Sequence, residues 1–300
     1  MQDDWRSLTY EEANATLKKW REEHARRSEE VVEIWEFVLS RYAAALKGEL
    51  WAVLEQVTIA ALDQARHDLA IECLQQLHRR FPKSTRVTKL QAMRLEAIGN
   101  YEDAEELYRR LIEGDDTNPL FRKRCIAILI ARGDRQSAIR ELNKYLEIFA
   151  NDSEAWLQQG ELFLQEADFG RAAFCFEELL LSNPQNPTYL LKMAEIRYTL
   201  GGPDNVEIAR AYYERSLALA PSAQAMYGLI LCNNQLLHLK TGIGQQRRRD
   251  LARSALNACD QLANLYEGKA TGGGGDETPR EDFGRQLSVV VQTLRGCFTE

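Results

Sequence analysis

The stretch FGRAAFCFEELLLSNP, Phe169 to Pro184, places an alanine at 172, an aromatic at 176, a leucine at 179 and a proline at 184. The same spacing recurs along the chain. AIECLQQLHRRFP holds Ala70, Leu74, Leu77 and Pro82, and AEELYRRLIEGDD holds Ala104, Tyr108 and Leu111. AIRELNKYLEIFA holds Ala138, Leu142 and Tyr145, and ARAYYERSLALAP holds Ala209, Tyr213, Ser216 and Pro221. The alanines at 70, 104, 138 and 172 are 34 residues apart, and the last step, to 209, is 37. Small residues at this spacing let two helices approach closely, while the large residues four positions on fill the space between neighbouring pairs. No single pair buries its apolar face, so such pairs stack.

A 34-residue period with Ala-x3-aromatic and a later proline resembles the tetratricopeptide repeat. AWLQQGELF adds Trp156, Gly160 and Phe163 at the spacing of the first helix of such a repeat. Gly99 and Gly133 fall where that helix must end and turn. Asp116 and Ala150 stand where a proline would stop the second helix, which predicts softer boundaries in those two repeats. LGGPDN, Leu200–Asn205, is read as a longer loop that absorbs the three extra residues of the last step. The expected fold class is therefore all-α: a TPR-type α-solenoid, a superhelix of antiparallel helix pairs, with N- and C-terminal flanking helices. The expected organisation is N-terminal capping helices over 1–49, five TPR-like repeats over 50–221 and a degenerate sixth helix pair over 222–267. A glycine-rich linker over 268–282 and a C-terminal helix over 283–300 follow. At the N-terminus, Thr9 and Glu12 form a capping-box pattern ahead of Ala13, Leu17 and Trp20. SEEVVEIWEFVLSRYAAAL is read as one further helix with Val31, Trp35, Val38 and Tyr42 on one face.

The 300 residues carry a formal net charge of −7, with 45% hydrophobic and 28% charged residues. This balance argues against a broad nucleic-acid surface. The opening MQDDWRSLTY has no apolar core of a signal peptide, and no apolar run reaches the ~20 residues a spanning helix needs. Six cysteines are scattered singly, which reads as buried reduced thiols. No HExxH, no His/Cys ligand spacing and no phosphate loop is present, so no catalytic residue, cofactor-binding residue or metal ligand is assigned. The chain reads as a non-enzyme without a cofactor.

What remains is a groove. In TPR solenoids the first helix of each pair lines the concave face. Repeat phase places Arg86, Lys89 and Met93 of the second repeat there, with Lys123, Arg124 and Ala127 of the third and Leu157, Gln158 and Glu161 of the fourth. Four of these are cations, a seat for an acidic peptide segment. Arg247–Arg249 fall in the first turn of a helix, where cations oppose the dipole at a cost of ~0.3–1 kcal/mol each.

Five blocks extend the resemblance beyond a generic repeat: KWREE (Lys19–Glu23), EQVTIAALD (Glu55–Asp63), AIRELNKYLE (Ala138–Glu147), AAFCFEELL (Ala172–Leu180) and YTLGG (Tyr198–Gly202). Together they resemble the family of subunit two of the ER membrane protein complex. The resemblance implies a TPR scaffold held peripherally on the cytosolic face of the ER, in a complex that inserts tail-anchored and multipass membrane proteins. The implied partners are cytosolic segments of the membrane subunits and a soluble partner subunit (eight or nine). No nucleic acid and no direct membrane span are implied. The alternative is a cytosolic co-chaperone adaptor for chaperone tail peptides. It fits less well, because Met93 and Arg124 stand where such adaptors carry asparagines, and Glu154 and Gln158 where they carry a lysine and an arginine.

The repeat phase is testable. Ala172→Trp overfills a helix pair and is expected to cost ~1–3 kcal/mol or more in denaturant unfolding; an unchanged unfolding curve would refute the phase.

Overall fold

The computed structural model describes residues 5–238, 244–270, 293 and 296. Cys297, the linker beyond residue 270 and the C-terminal helix expected over 283–300, save residues 293 and 296, lie outside them. Fourteen α-helices are described: α1 (Tyr10–Glu22), α2 (Ser28–Phe37), α3 (Leu50–Asp63), α4 (His67–Arg80), α5 (Thr85–Ala97), α6 (Tyr101–Gly114), α7 (Pro119–Ala131), α8 (Arg135–Ile148), α9 (Ser153–Gln165), α10 (Phe169–Ser182), α11 (Pro187–Leu200), α12 (Pro203–Leu219), α13 (Ala223–Leu237) and α14 (Gln245–Ala270). The chain divides into two compact units, Met1–Glu141 and Leu142–Glu300. Within the first, α3 packs on α4 and α5 on α6; within the second, α9 pairs with α10, α11 with α12 and α13 with α14.

The 34-residue period reappears as physical structure. Ala70, Ala104, Ala138, Ala172 and Ala209 are all fully buried, and so are Tyr108 and Phe176. The turn after the first helix of a pair needs one residue with positive φ, at Ala65, Gly99, Gly133, Ala167 and Gly201, again 34 apart. Glycine adopts that backbone freely, whereas alanine strains to do so. Asn118, Asp152 and Asn186 cap α7, α9 and α11 through their side chains, and Asn100, Asp134 and Asp168 cap the N-termini of α6, α8 and α10. Such caps contribute about 1 kcal/mol each.

Three expectations are corrected. The boundaries after α6 and α8 are not softer: α4, α6, α8 and α10 end at 80, 114, 148 and 182, in equal steps with or without a proline. Packing of the buried face and the cap of the next helix set the stop. The three extra residues before Ala209 are not a longer loop either. Only Gly201 and Gly202 separate α11 from α12, and α12 has 17 residues where α10 has 14. Helix α12 begins 34 residues after α10, so the extra residues lie inside it; Pro203 suits its first position, because the missing N–H would have gone unpaired there anyway. Finally, α2 stops at Phe37, and Leu39–Glu49 continues as a 3-10 segment with non-helical backbone at Tyr42 and Lys47. Leu39 and Leu46 take the core positions, and Tyr42 is half exposed, with its ring 5.7 Å from that of Tyr10.

The capping box is present. Thr9 N donates to Glu12 Oε2 at 3.0 Å, and Glu12 N donates to Thr9 Oγ1 at 3.4 Å, with Ala13, Leu17 and Trp20 buried behind it. At the other end, α13 and α14 hold Ala225, Leu229, Leu251 and Cys259 in a core with Tyr213. Arg247 in the first turn of α14 pairs with Glu207 of α12, so an acid of this chain offsets the unfavourable dipole.

Close approach is tightest at two glycines. A Cβ on Gly160 would lie 3.0 Å from the Phe176 ring, and one on Gly228 would lie 2.2 Å from the Tyr213 ring. Gly133 meets nothing within 4 Å and is held only by its φ of 78°. Gly228→Ala is therefore expected to destabilise by ~1–3 kcal/mol or more through overpacking, and Gly133→Ala by about 1 kcal/mol through backbone strain. Adding Tyr213→Leu should recover part of the Gly228→Ala loss and none of the Gly133→Ala loss, read by urea unfolding.

Candidate functional site

The first unit contains a cleft of about 530 Å³. Its walls come from four places. The end of α1 and the turn after it supply Trp20, Arg21, His24, Ala25 and Arg26. Helix α3 supplies Ala52, Glu55, Gln56 and Ile59; α5 supplies Arg86 and Met93; and α7 supplies Arg124. The volume is in the range of ligand and peptide-anchor sites.

Each arginine is oriented by an acid or amide of this chain. Arg26 donates from Nε and Nη2 to Asp63 at 2.8 and 2.5 Å, and Ser28 Oγ donates to the same carboxylate at 2.6 Å. Arg21 donates to Gln56 Oε1 at 3.0 Å and to Glu49 at 3.3 Å. Arg86 is ion-paired with Glu55. Arg124 donates to Glu96 at 3.3 Å, and Tyr108 Oη donates to the other oxygen of that carboxylate at 3.0 Å. The hydrogen bonds from Arg26 hold the Asp63 carboxyl below its ordinary range; burial opposes them, and the Ser28 bond adds to them. Burial, then the Glu96 charge, pushes the Tyr108 phenol well above its ordinary value, so it acts as a neutral donor.

The apolar part of the cleft is Trp20, Ile59 and Met93. Trp20 is fixed by an edge contact with Trp5 at 5.4 Å and by the Arg27 guanidinium 5.4 Å from its ring. Its place in the wall depends on a turn in which His24 has φ 52°. The cleft thus offers guanidinium donors beside an aromatic and two aliphatic surfaces. It holds no activated nucleophile. Burial pushes the thiols of Cys73, Cys175 and Cys232 up to about 12 and that of Cys125 to about 11, and none of them lines it. No group of three His, Cys, Asp or Glu side chains placed to hold a metal occurs among the described residues.

Of the sequence-predicted groove residues, the structure brings Arg86, Met93 and Arg124 into this cleft. Lys89, Lys123 and Ala127 are partly buried in the same unit and do not line it. Leu157, Gln158 and Glu161 belong to the second unit, with Glu161 exposed. Sequence reasoning missed two groups. Ala52, Glu55 and Ile59 sit 34 residues before Arg86, Lys89 and Met93, so extending the phase one repeat towards the N-terminus finds them. Trp20, Arg21 and Arg26 lie outside the repeats and carry no periodic signal.

An all-helical chain of this register, with buried small residues at 34-residue steps, is a tetratricopeptide-type repeat protein. In fold it is similar to a crystal structure of the C-terminal part of a TPR repeat-containing protein from Cytophaga hutchinsonii, with TM-score 0.59 and 16% identity over 85% of this chain and 94% of that one. The family model described as the EMC2 TPR-like repeat domain matches residues 52–201. The chain is 41% identical to ER membrane protein complex subunit 2-A of Xenopus laevis, covering 87% of this chain and 88% of that protein. It is also 41% identical to ER membrane protein complex subunit 2 of Xenopus tropicalis, covering 88% and 89%. The chain belongs to the family of ER membrane protein complex subunit 2. No helix among the described residues is long and apolar enough to cross a membrane.

The Asp63 anchor yields a prediction with a sign. A carboxyl held below its ordinary pKa stabilises the fold above that ordinary value, and the stabilisation is lost as pH falls through the depressed one. The near-UV circular dichroism of the edge-packed Trp5–Trp20 pair should stay constant down to the ordinary aspartate range, near 3.8, and fall only below it. Asp63→Asn should speed tryptic cleavage at Arg26 and Arg27 several-fold at pH 8; unchanged cleavage would remove Asp63 as the anchor of the turn.

Proposed function

We propose that this chain is a non-catalytic scaffold subunit of the ER membrane protein complex, acting on the cytosolic face of the ER. The observation that carries the reading is the arginine-lined cleft between the α1 turn and the helices α3, α5 and α7 in a chain of this family. A subunit with no metal cluster or spanning helix among its described residues can still organise others by offering a preorganised concave surface. In this reading the cleft holds a cytosolic segment of a membrane subunit, and another surface holds a soluble partner subunit (eight or nine). The assembled complex inserts tail-anchored and multipass proteins, and this subunit supports insertion by keeping cytosolic segments in register.

The test is a tagged pull-down from detergent-solubilised cells, with mass spectrometry of what survives a salt wash. A stoichiometric set of ER membrane subunits is the expected outcome. Chaperones alone, or nothing, would overturn the scaffold reading and favour a co-chaperone adaptor. Lys123→Glu with Arg124→Glu should reduce recovery of the membrane subunits while far-UV circular dichroism stays normal, because Arg124 lines the cleft and loses its pair with Glu96.

A further inference from the structure

The cleft also says what chemistry its occupant must have; this rests on the scaffold reading above and deepens it. Its lining is uneven in charge. Arg21, Arg26, Arg86 and Arg124 reach into it, and the one acidic side chain among the lining residues is Glu55. The other three acids, Glu49, Asp63 and Glu96, pair with arginines yet are not part of the lining. They hold the guanidinium groups from behind.

A guanidinium carries five N–H donors in a fixed fork. Arg26 and Arg86 each address one carboxylate through Nε and Nη2, so their Nη1 donors are left for an occupant. Arg124 uses Nη1 on Glu96 and keeps its Nη2 side. Preorganised donors of this kind favour an acceptor-rich ligand, and a bidentate carboxylate matches the fork best. The apolar surfaces of Trp20, Ile59 and Met93 lie in the same cleft and suit one hydrophobic side chain beside the carboxylates.

We infer that the cleft binds an acidic peptide segment of a partner subunit, with two or more Asp or Glu side chains on the guanidinium forks and one apolar side chain on the Trp20–Met93 surface. The four arginines together with Glu49, Glu55, Asp63 and Glu96 sum to zero charge. Recognition is therefore short-range: hydrogen-bond geometry selects the segment, and long-range steering contributes little. Binding should weaken only modestly between low and physiological salt.

The test uses the full chain in cells. A photo-crosslinking p-benzoylphenylalanine replaces Met93, and the chain is purified with its bound subunits after irradiation. The crosslinked site is then sequenced by mass spectrometry. The expected result is an adduct on a partner segment that carries at least two acidic residues within a few positions of an apolar one. Arg86→Gln with Arg124→Gln should reduce that adduct at least tenfold, while Lys89→Gln, outside the lining, should leave it unchanged; melting curves of each variant confirm folding. An adduct on a basic or wholly apolar segment, or on a lipid, overturns the proposal. So does the absence of an adduct in a sample that still co-purifies with the membrane subunits, an outcome that leaves the scaffold reading intact. Failure to co-purify at all overturns both.

Discussion

The close approach of packed helices at small residues governs this structure. Within a pair, at α9 and α10, a Cβ on Gly160 would lie 3.0 Å from the Phe176 ring; between neighbouring pairs, where α13 crosses α12, one on Gly228 would lie 2.2 Å from the Tyr213 ring. Once two backbones come that close, the aromatic ring is trapped and its burial contributes on the order of 2–3 kcal/mol. The neighbouring turn must then close in three residues or fewer. That requirement explains the positive-φ residue at every step of the repeat, occupied even by Ala65 and Ala167, where an alanine bears the strain. Helix length, turn and cap follow from the contact, which is why the helix ends stay in register where no proline enforces them.

The cleft depends on this regularity and on a departure from it. The helices α3, α5 and α7 present equivalent faces because their pairs are equivalent, so Glu55, Arg86 and Arg124 come from successive repeats. The N-terminal segment is irregular. Its turn is tied down by Arg26 and Ser28 on Asp63, and its tryptophan is wedged between Trp5 and Arg27. Exposed ion pairs are worth little for stability. Here the pairs with Asp63, Glu49 and Glu96 orient guanidinium groups, a geometric role that does not need a large free energy. A binding surface gains affinity mainly by having its contacts already in place.

The chain combines membership of the family of ER membrane protein complex subunit 2 with a cleft lined by guanidinium donors. The cysteines fit the same picture. Burial shifts the thiols of Cys73, Cys125, Cys175 and Cys232 away from reactivity, so they act as small hydrophobes.

By itself the sequence determined the period, the small and large residues that alternate across helix pairs, the capping box at Thr9 and Glu12, and the family. Each of these is local or repeats at a fixed offset, so it leaves a trace in the order of residues. Repeat phase also grouped Arg86, Met93 and Arg124, which the structure brings to one cleft, because phase carries over from one repeat to the next. The tertiary structure alone decided that Lys89 and Lys123 stay out of the cleft and that Trp20, Arg21 and Arg26 form its fourth wall. It alone decided that each arginine is already held by an acid some 28 to 37 residues away in the chain. Those pairings join helices at no periodic offset. The end of α2 at Phe37 was likewise settled by which side chains the core had room for, a choice that exists only once the helices are packed.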